Sequence, residues 1–88
     1  MDDQRTKIIA ELRVILGDVA GKLGQDAARV ADDDVIPDTG VLDSAGLLEF
    51  VVLLDEKYAL ALEPEEMTIE NLGSLIAIAD FILARRQA

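Results

Sequence analysis

The chain of 88 residues contains no cysteine, no histidine and no tryptophan. Without cysteine there is no disulfide and no thiolate ligand. Without histidine the commonest general base and the imidazole metal ligand are missing as well. Aromatics amount to one Tyr and two Phe, so any core has to be built from aliphatic side chains. Bases are scarce: 8 Lys and Arg stand against 18 Asp and Glu, a net charge of −10. Between Val30 and Ala84 the only base is Lys57. Such a chain repels nucleic-acid phosphates and anionic membrane surfaces and suits basic partners. Long apolar runs are missing too. The stretches at 47–54 and 75–83 fall well short of the ~20 residues that span a bilayer, so no membrane span is expected. Met1 is followed by Asp2 and Asp3 rather than by a basic stretch and an apolar run, so no secretory leader is expected. The length fits one small domain over residues 1–88. A cytoplasmic monomer is the expectation.

What is present is helical periodicity. Ile8, Ile9, Leu12, Ile15, Leu16, Val19 and Leu23 recur at three- and four-residue steps and predict a helix over about 4–23. Next comes a loop over about 25–42, rich in breakers: Asp32, Asp33, Asp34, Pro37, Asp38 and Gly40. A connection that long is either functional or held down by its own side chains, for which Val30, Val35, Ile36, Val41 and Leu42 are available. A second helix is predicted from Asp43 or Ser44 to Tyr58, with Asp43 suited to cap it. Apart from Glu49, every residue from Leu47 to Leu54 is apolar, which predicts a central helix touched on several sides. Thr68 caps a short helix over about 69–72, and a last helix runs over about 74–86, ending on Arg85 and Arg86. The fold class is all-α, a small four-helix bundle of three main helices and a short third one.

Chemistry centres on Ser44. A nucleophilic serine needs a positioned base. No histidine exists, and Lys57 lies thirteen residues along the same helix, about 20 Å away at 1.5 Å per residue. The sequence "LDSAG" lacks the glycine that precedes a nucleophile-elbow serine. No catalytic residue is expected. The acidic loop fails as an EF-hand: a start at Asp32 puts Pro37 where glycine is required, and a start at Asp38 puts Gly40 and Leu42 at ligand positions. No metal site is expected. Two readings of Ser44 stay open on the residues alone. It shares the capping of the second helix with Asp43, or it is an exposed point of attachment whose setting at a helix start suits a phosphate ester.

The stretch "VLDSAGLLEFVVLLDEKYAL" resembles the serine motif of acyl carrier proteins and the related peptidyl and aminoacyl carriers. In that family an Asp-Ser pair opens the second helix, a Glu comes five residues after the Ser, and the helix closes on acids and an aromatic. Here these are Asp43-Ser44, Glu49, Asp55-Glu56 and Tyr58. The order of helices over the whole chain resembles the family as well. The resemblance implies that Ser44 carries 4′-phosphopantetheine, transferred from coenzyme A by a separate phosphopantetheinyl transferase, with Asp43 beside it. The protein would then tether an acyl or aminoacyl group as a thioester and catalyse nothing. It also implies that Leu47, Leu48, Glu49, Asp55 and Glu56 are read by the basic patches of an acyl or aminoacyl ligase, synthase or transferase. Without the resemblance, Leu47 and Leu48 are ordinary core residues and the three acids a solvated face, or the chain is an unmodified acidic adaptor. Two positions depart from the family. Ala45 stands where Leu is usual, and Gly46 takes a position that often carries an acid and weakens the helix start by up to ~1 kcal/mol relative to Ala. A specialised free-standing carrier fits these departures.

Overall fold

The structure, a computed structural model, describes residues 3–87. Met1 and Asp2, on which the expected absence of a leader partly rests, and Ala88 lie outside the described residues. Five helices occur in chain order: α1 (Asp3–Lys22), α2 (Ile36–Thr39), α3 (Ser44–Tyr58), α4 (Ile69–Leu72) and α5 (Leu75–Gln87). Single 3-10 turns occur at Ala27–Arg29 and Pro64–Glu66. Among the described residues there is no strand.

The core is aliphatic apart from Phe50. Ile8, Leu12, Leu16 and Val19 of α1 meet Leu75, Ile78, Ala79 and Ile82 of α5, with Phe50 and Leu54 of α3 completing the cluster. All ten of these side chains are buried. α1 packs against both α5 and α3, and α4 packs on α5. The four-residue recurrence seen in the sequence therefore faces the interior in α1. α1 closes on Gly24, whose φ of +73° is readily reached only without a side chain. Gln25 N–H donates to Ala20 C=O at 2.9 Å and Gly24 N–H to Gly21 C=O at 3.1 Å, which satisfies carbonyls the helix leaves free. Leu23, the last residue of the apolar stripe by periodicity, lies beyond the helix end and is exposed.

The expectation that α3 is central is overturned. It buries Gly46, Phe50 and Leu54 along one face only, while Leu48 stays 62% exposed and Val52 46%. Among the described residues no element covers that outer side. The helix enclosed by others is α5, where Leu75, Ile78, Ala79 and Ile82 are fully buried.

The long connection before α3 is organised rather than open. Pro37 sits in the first turn of α2, where its missing N–H is not needed. Val30, Ile36, Val41 and Leu42 are buried. The Arg13 guanidinium donates to Val30 C=O at 2.8 Å and to the Asp32 carboxylate at 2.6 Å, which fastens the loop to α1. Ile36 N–H donates to Gly73 C=O at 2.7 Å and Ile76 N–H to Asp32 C=O at 3.0 Å, which fastens it to the α4–α5 junction. The segment that delivers the chain to Ser44 is thus held from two sides.

Candidate functional site

Gly40 ends α2 at φ +74°, and the chain turns through buried Val41 and Leu42 into Asp43. Asp43 is extended at φ −84°, ψ −177°, and its carboxylate Oδ1 accepts from Gly46 N–H at 2.6 Å. The Asp43 C=O accepts the first helical bond, from Leu47 N–H at 2.8 Å. Asp43 alone supplies the side-chain cap, so Ser44 is released from that role. Ser44 is the first residue of α3 and is exposed, as are Asp43 and Ala45. Among the described residues the N–H groups of Ser44 and Ala45 have no hydrogen-bond partner. A hydroxyl so placed is open to a modifying enzyme, and the two free N–H groups favour an anion bonded to it.

Gly46 has a steric reason that the sequence hid. A Cβ there would lie 3.1 Å from Leu23 Cδ1, 3.1 Å from Asp43 Oδ1 and 3.4 Å from Leu42 Cβ. The expected gain from Ala at this position is therefore offset by crowding of the cap itself, which corrects the reading of Gly46 as merely a weak helix former.

The expected recognition residues divide into three groups. Leu48, Asp55 and Glu56 fall on the same side of α3 as Ser44 by the helical repeat, and Val52 joins them. Leu48, Val52 and Glu56 are exposed there, and Asp55 is half-buried. Leu47 is half-buried and lines an apolar cleft of about 180 Å³ with Pro37, Val51, Met67, Ile69 and Leu72. Glu49 is turned away, toward α1, where its Oε2 accepts from Lys22 Nζ at 2.6 Å. That bond and the Glu49 charge raise the Lys22 pKa above its ordinary 10.5. Sequence reasoning misses Lys22 because nothing local pairs a residue at the end of α1 with one in α3. It misses the exposed Met67 and Ile69 because apolar type alone reads as core.

Tyr58, at the far end of α3, is structural. Its hydroxyl donates to Glu11 Oε1 at 2.5 Å, and the Arg86 guanidinium lies 5.6 Å from its ring centre. Burial first, and the Glu11 bond second, push its pKa well above the usual phenol range. Among the described residues no group of three or more His, Cys, Asp and Glu is placed to hold a metal ion, and no helix is long and apolar enough to cross a membrane.

The family model described as "Phosphopantetheine attachment site" fits residues 10–81. No curated protein and no solved structure matches. The match takes in α2, α3 and α4 whole and most of α1 and α5, and it includes Ser44, its Asp43 cap and the exposed stripe of α3. The chain therefore belongs to the phosphopantetheine attachment site family, as a non-catalytic carrier whose prosthetic group is 4′-phosphopantetheine.

Proposed function

We propose that Ser44 is the residue that bears the 4′-phosphopantetheine, and that the 88 residues act as one carrier domain presenting an acyl thioester to partner enzymes. The observation that carries this reading is the exposed Ser44 at the first position of a 15-residue helix, inside the span the family model fits. The residues present suit the group. The Ser44 hydroxyl has open approach, and the unpaired N–H groups of Ser44 and Ala45 face the position a phosphate ester takes at a helix start. When bound, the group supplies a thiol that holds the cargo as a thioester. The chain's own part is to hold the Ser44 hydroxyl in reach. The Asp43 cap fixes the first turn, and the loop bonds to Gly73 and Ile76 fix the approach. With no histidine in the chain, removal of the serine proton falls to the phosphopantetheinyl transferase.

The cleft lined by Leu47, Val51, Ile69 and Leu72 favours an aliphatic acyl cargo over a charged aminoacyl one, since burying an unpaired charge there is costly. Leu48, Val52, Asp55 and Glu56 offer an apolar stripe with an acidic end to a basic partner such as an acyl ligase, synthase or transferase. Ala45 presents only a methyl group beside the serine, which fits a dedicated partner. The test is intact mass after incubation with a phosphopantetheinyl transferase, coenzyme A and Mg²⁺. A gain of one phosphopantetheine, absent in Ser44→Ala, is expected. No gain with any of several transferases would leave an unmodified acidic adaptor as the better description.

A further inference from the structure

Beside Asp43 the surface holds a second hollow, away from the residues of the apolar cleft. It measures about 230 Å³ and is bounded by Leu23, Gln25, Gly40, Val41, Leu42 and Asp43. A neighbouring hollow of about 280 Å³ runs on past Asp26, Arg29, Asp34 and Thr39. Gln25 and Val41 line both, so the two adjoin as a groove whose near end borders Asp43, the residue before Ser44.

The polar groups along this groove are of two kinds. Some are already engaged in holding its walls. Asp26 Oδ1 accepts from Ala28 N–H, Asp34 Oδ2 accepts from Ala31 N–H, and Thr39 Oγ1 donates to Ile36 C=O. Others are not: among the described residues the Gln25 carboxamide and the Arg29 guanidinium make no hydrogen bond or ion pair. Glutamine offers one donor group and one acceptor, the complement of an amide, and arginine offers donors to a carbonyl. The near end, by contrast, is apolar, with Leu23, Val41 and Leu42.

A pantetheine arm has the same order of chemistry. One methylene out from its phosphate comes a carbon bearing two methyl groups, then a hydroxyl-bearing carbon, and further out come two amides. We propose that this groove is a docking site for the chain's own phosphopantetheine arm, with the methyl-bearing segment against Leu23, Val41 and Leu42 and the amides on Gln25 and Arg29. The inference rests on Ser44 being the attachment point. It assigns the unacylated arm to the loop side of Ser44; a cargo bonded to the arm's far end reaches the apolar cleft at Leu47 and Ile69 only when the arm leaves the groove.

The experiment uses the full chain loaded with phosphopantetheine labelled with ¹³C and ¹⁵N. Mass spectrometry establishes loading and its loss in Ser44→Ala. Backbone amide spectra of the apo and loaded chains are then compared. Shift changes are expected to reach Gln25, Arg29, Gly40 and Val41, with proton–proton contacts from the arm methyls to Val41 and Leu42. Alkylation of the loaded thiol by iodoacetamide is expected to quicken about two- to fivefold in the Gln25→Ala, Arg29→Ala double variant, the scale of one lost net hydrogen bond. Both side chains are exposed, so the variant keeps its fold, and its apo spectrum checks this. Loading with shift changes confined to residues 43–47, or displaced to Met67, Ile69 and Leu72, and with unchanged alkylation, overturns the groove and leaves Ser44 standing. Absence of loading removes both.

Discussion

Along the seam of α1 and α5, Leu12, Leu16, Leu75 and Ile82 lie under a margin of polar pairs. Arg5 meets Asp80 at 2.9 Å across that margin. Arg85 makes a two-pronged pair with Glu66 at 2.7 and 2.9 Å, and Tyr58 reaches Glu11. Along α3 and α4 the edge is left open, and Leu48, Val52, Met67 and Ile69 stand in solvent. The same residue types thus do different work on the two sides. On the first they are withdrawn from water and hold the bundle together. On the second they add little to stability, and exposed apolar side chains of this kind suit the proposed docking of a partner.

The sharpest way to break this contrast is one truncation on each side. Leu16→Ala removes a fully buried side chain and is expected to cost about 3 kcal/mol, within the usual range for leucine truncations in cores. Leu48→Ala is expected to stay within about 0.5 kcal/mol of the parent, as surface changes do. In the loading reaction the order reverses, with Leu48→Ala raising the KM of the transferase for the carrier and leaving the urea midpoint in place. Equal losses of stability in the two urea titrations would erase the distinction.

The contrast is only half legible in the sequence. The helices at 44–58 and 69–72 lie at the residues the sequence predicts, and those at 4–23 and 74–86 agree to within a residue, because periodicity and the caps Asp43 and Thr68 are local signals. The exposed serine at the start of α3, the proposed attachment point, is legible because "DSAGLLEF" combines a cap, a serine and a helix in one short run. The side of α3 that faces out is not. A run such as "LLEFVVLL" is apolar all round, and only the placement of the other helices decides which residues are covered. Arg13 holding Val30 and Asp32, and Lys22 holding Glu49, join residues far apart in the chain, so no window of sequence contains them. α2 escapes a sequence reading because Pro37 and Gly40 signal a break, yet proline suits a first helical turn and glycine the residue after the last.

At the boundary between the two sides lies the Asp43 cap. Its bond to Gly46 N–H holds the first turn of α3, so Asp43→Ala is expected to cost about 1 kcal/mol. For a domain of this size that corresponds to a fall of about 4–8 °C in melting temperature. Asp43→Asn keeps the acceptor and is expected to recover most of it. A melting temperature unchanged in Asp43→Ala would mean that the loop bonds alone position Ser44.

The margin of the closed side responds to pH. The Arg85 guanidinium first, and the Glu63 N–H second, hold the Glu66 carboxyl below its ordinary 4.5. A carboxyl lowered on folding adds stability above its unfolded pKa, and that contribution disappears as pH falls through the lowered value. Glu66→Gln is therefore expected to lower stability at pH 7 by the worth of this half-buried pair, to match the parent near pH 3, and so to flatten the acid limb between them. Thermal melts between pH 3 and 7 decide it, and identical acid limbs in parent and variant would place the acid sensitivity elsewhere.

The smallest effect concerns how the two sides end their helices. α1 closes on Gly24, while α3 closes on Ala59, held at φ +52°, with Ala61 at +53° two residues on. Leu60 explains why the chain accepts this. It is buried, and its N–H donates to Asp55 C=O at 3.2 Å, so the left-handed turn at Ala59 is fixed by the anchoring of its neighbour. A left-handed alanine costs about 1–2 kcal/mol, and glycine relieves that at the expense of about 0.4–1 kcal/mol of unfolded-chain entropy. Ala59→Gly is thus expected to stabilise the protein by about 0.5 kcal/mol. Gly24→Ala, the mirror change on the closed side, is expected to destabilise it by a similar or larger amount. Two urea titrations give the signs. If Ala59→Gly destabilises, the end of α3 is unstrained, and the open side differs from the closed one in its coverage alone.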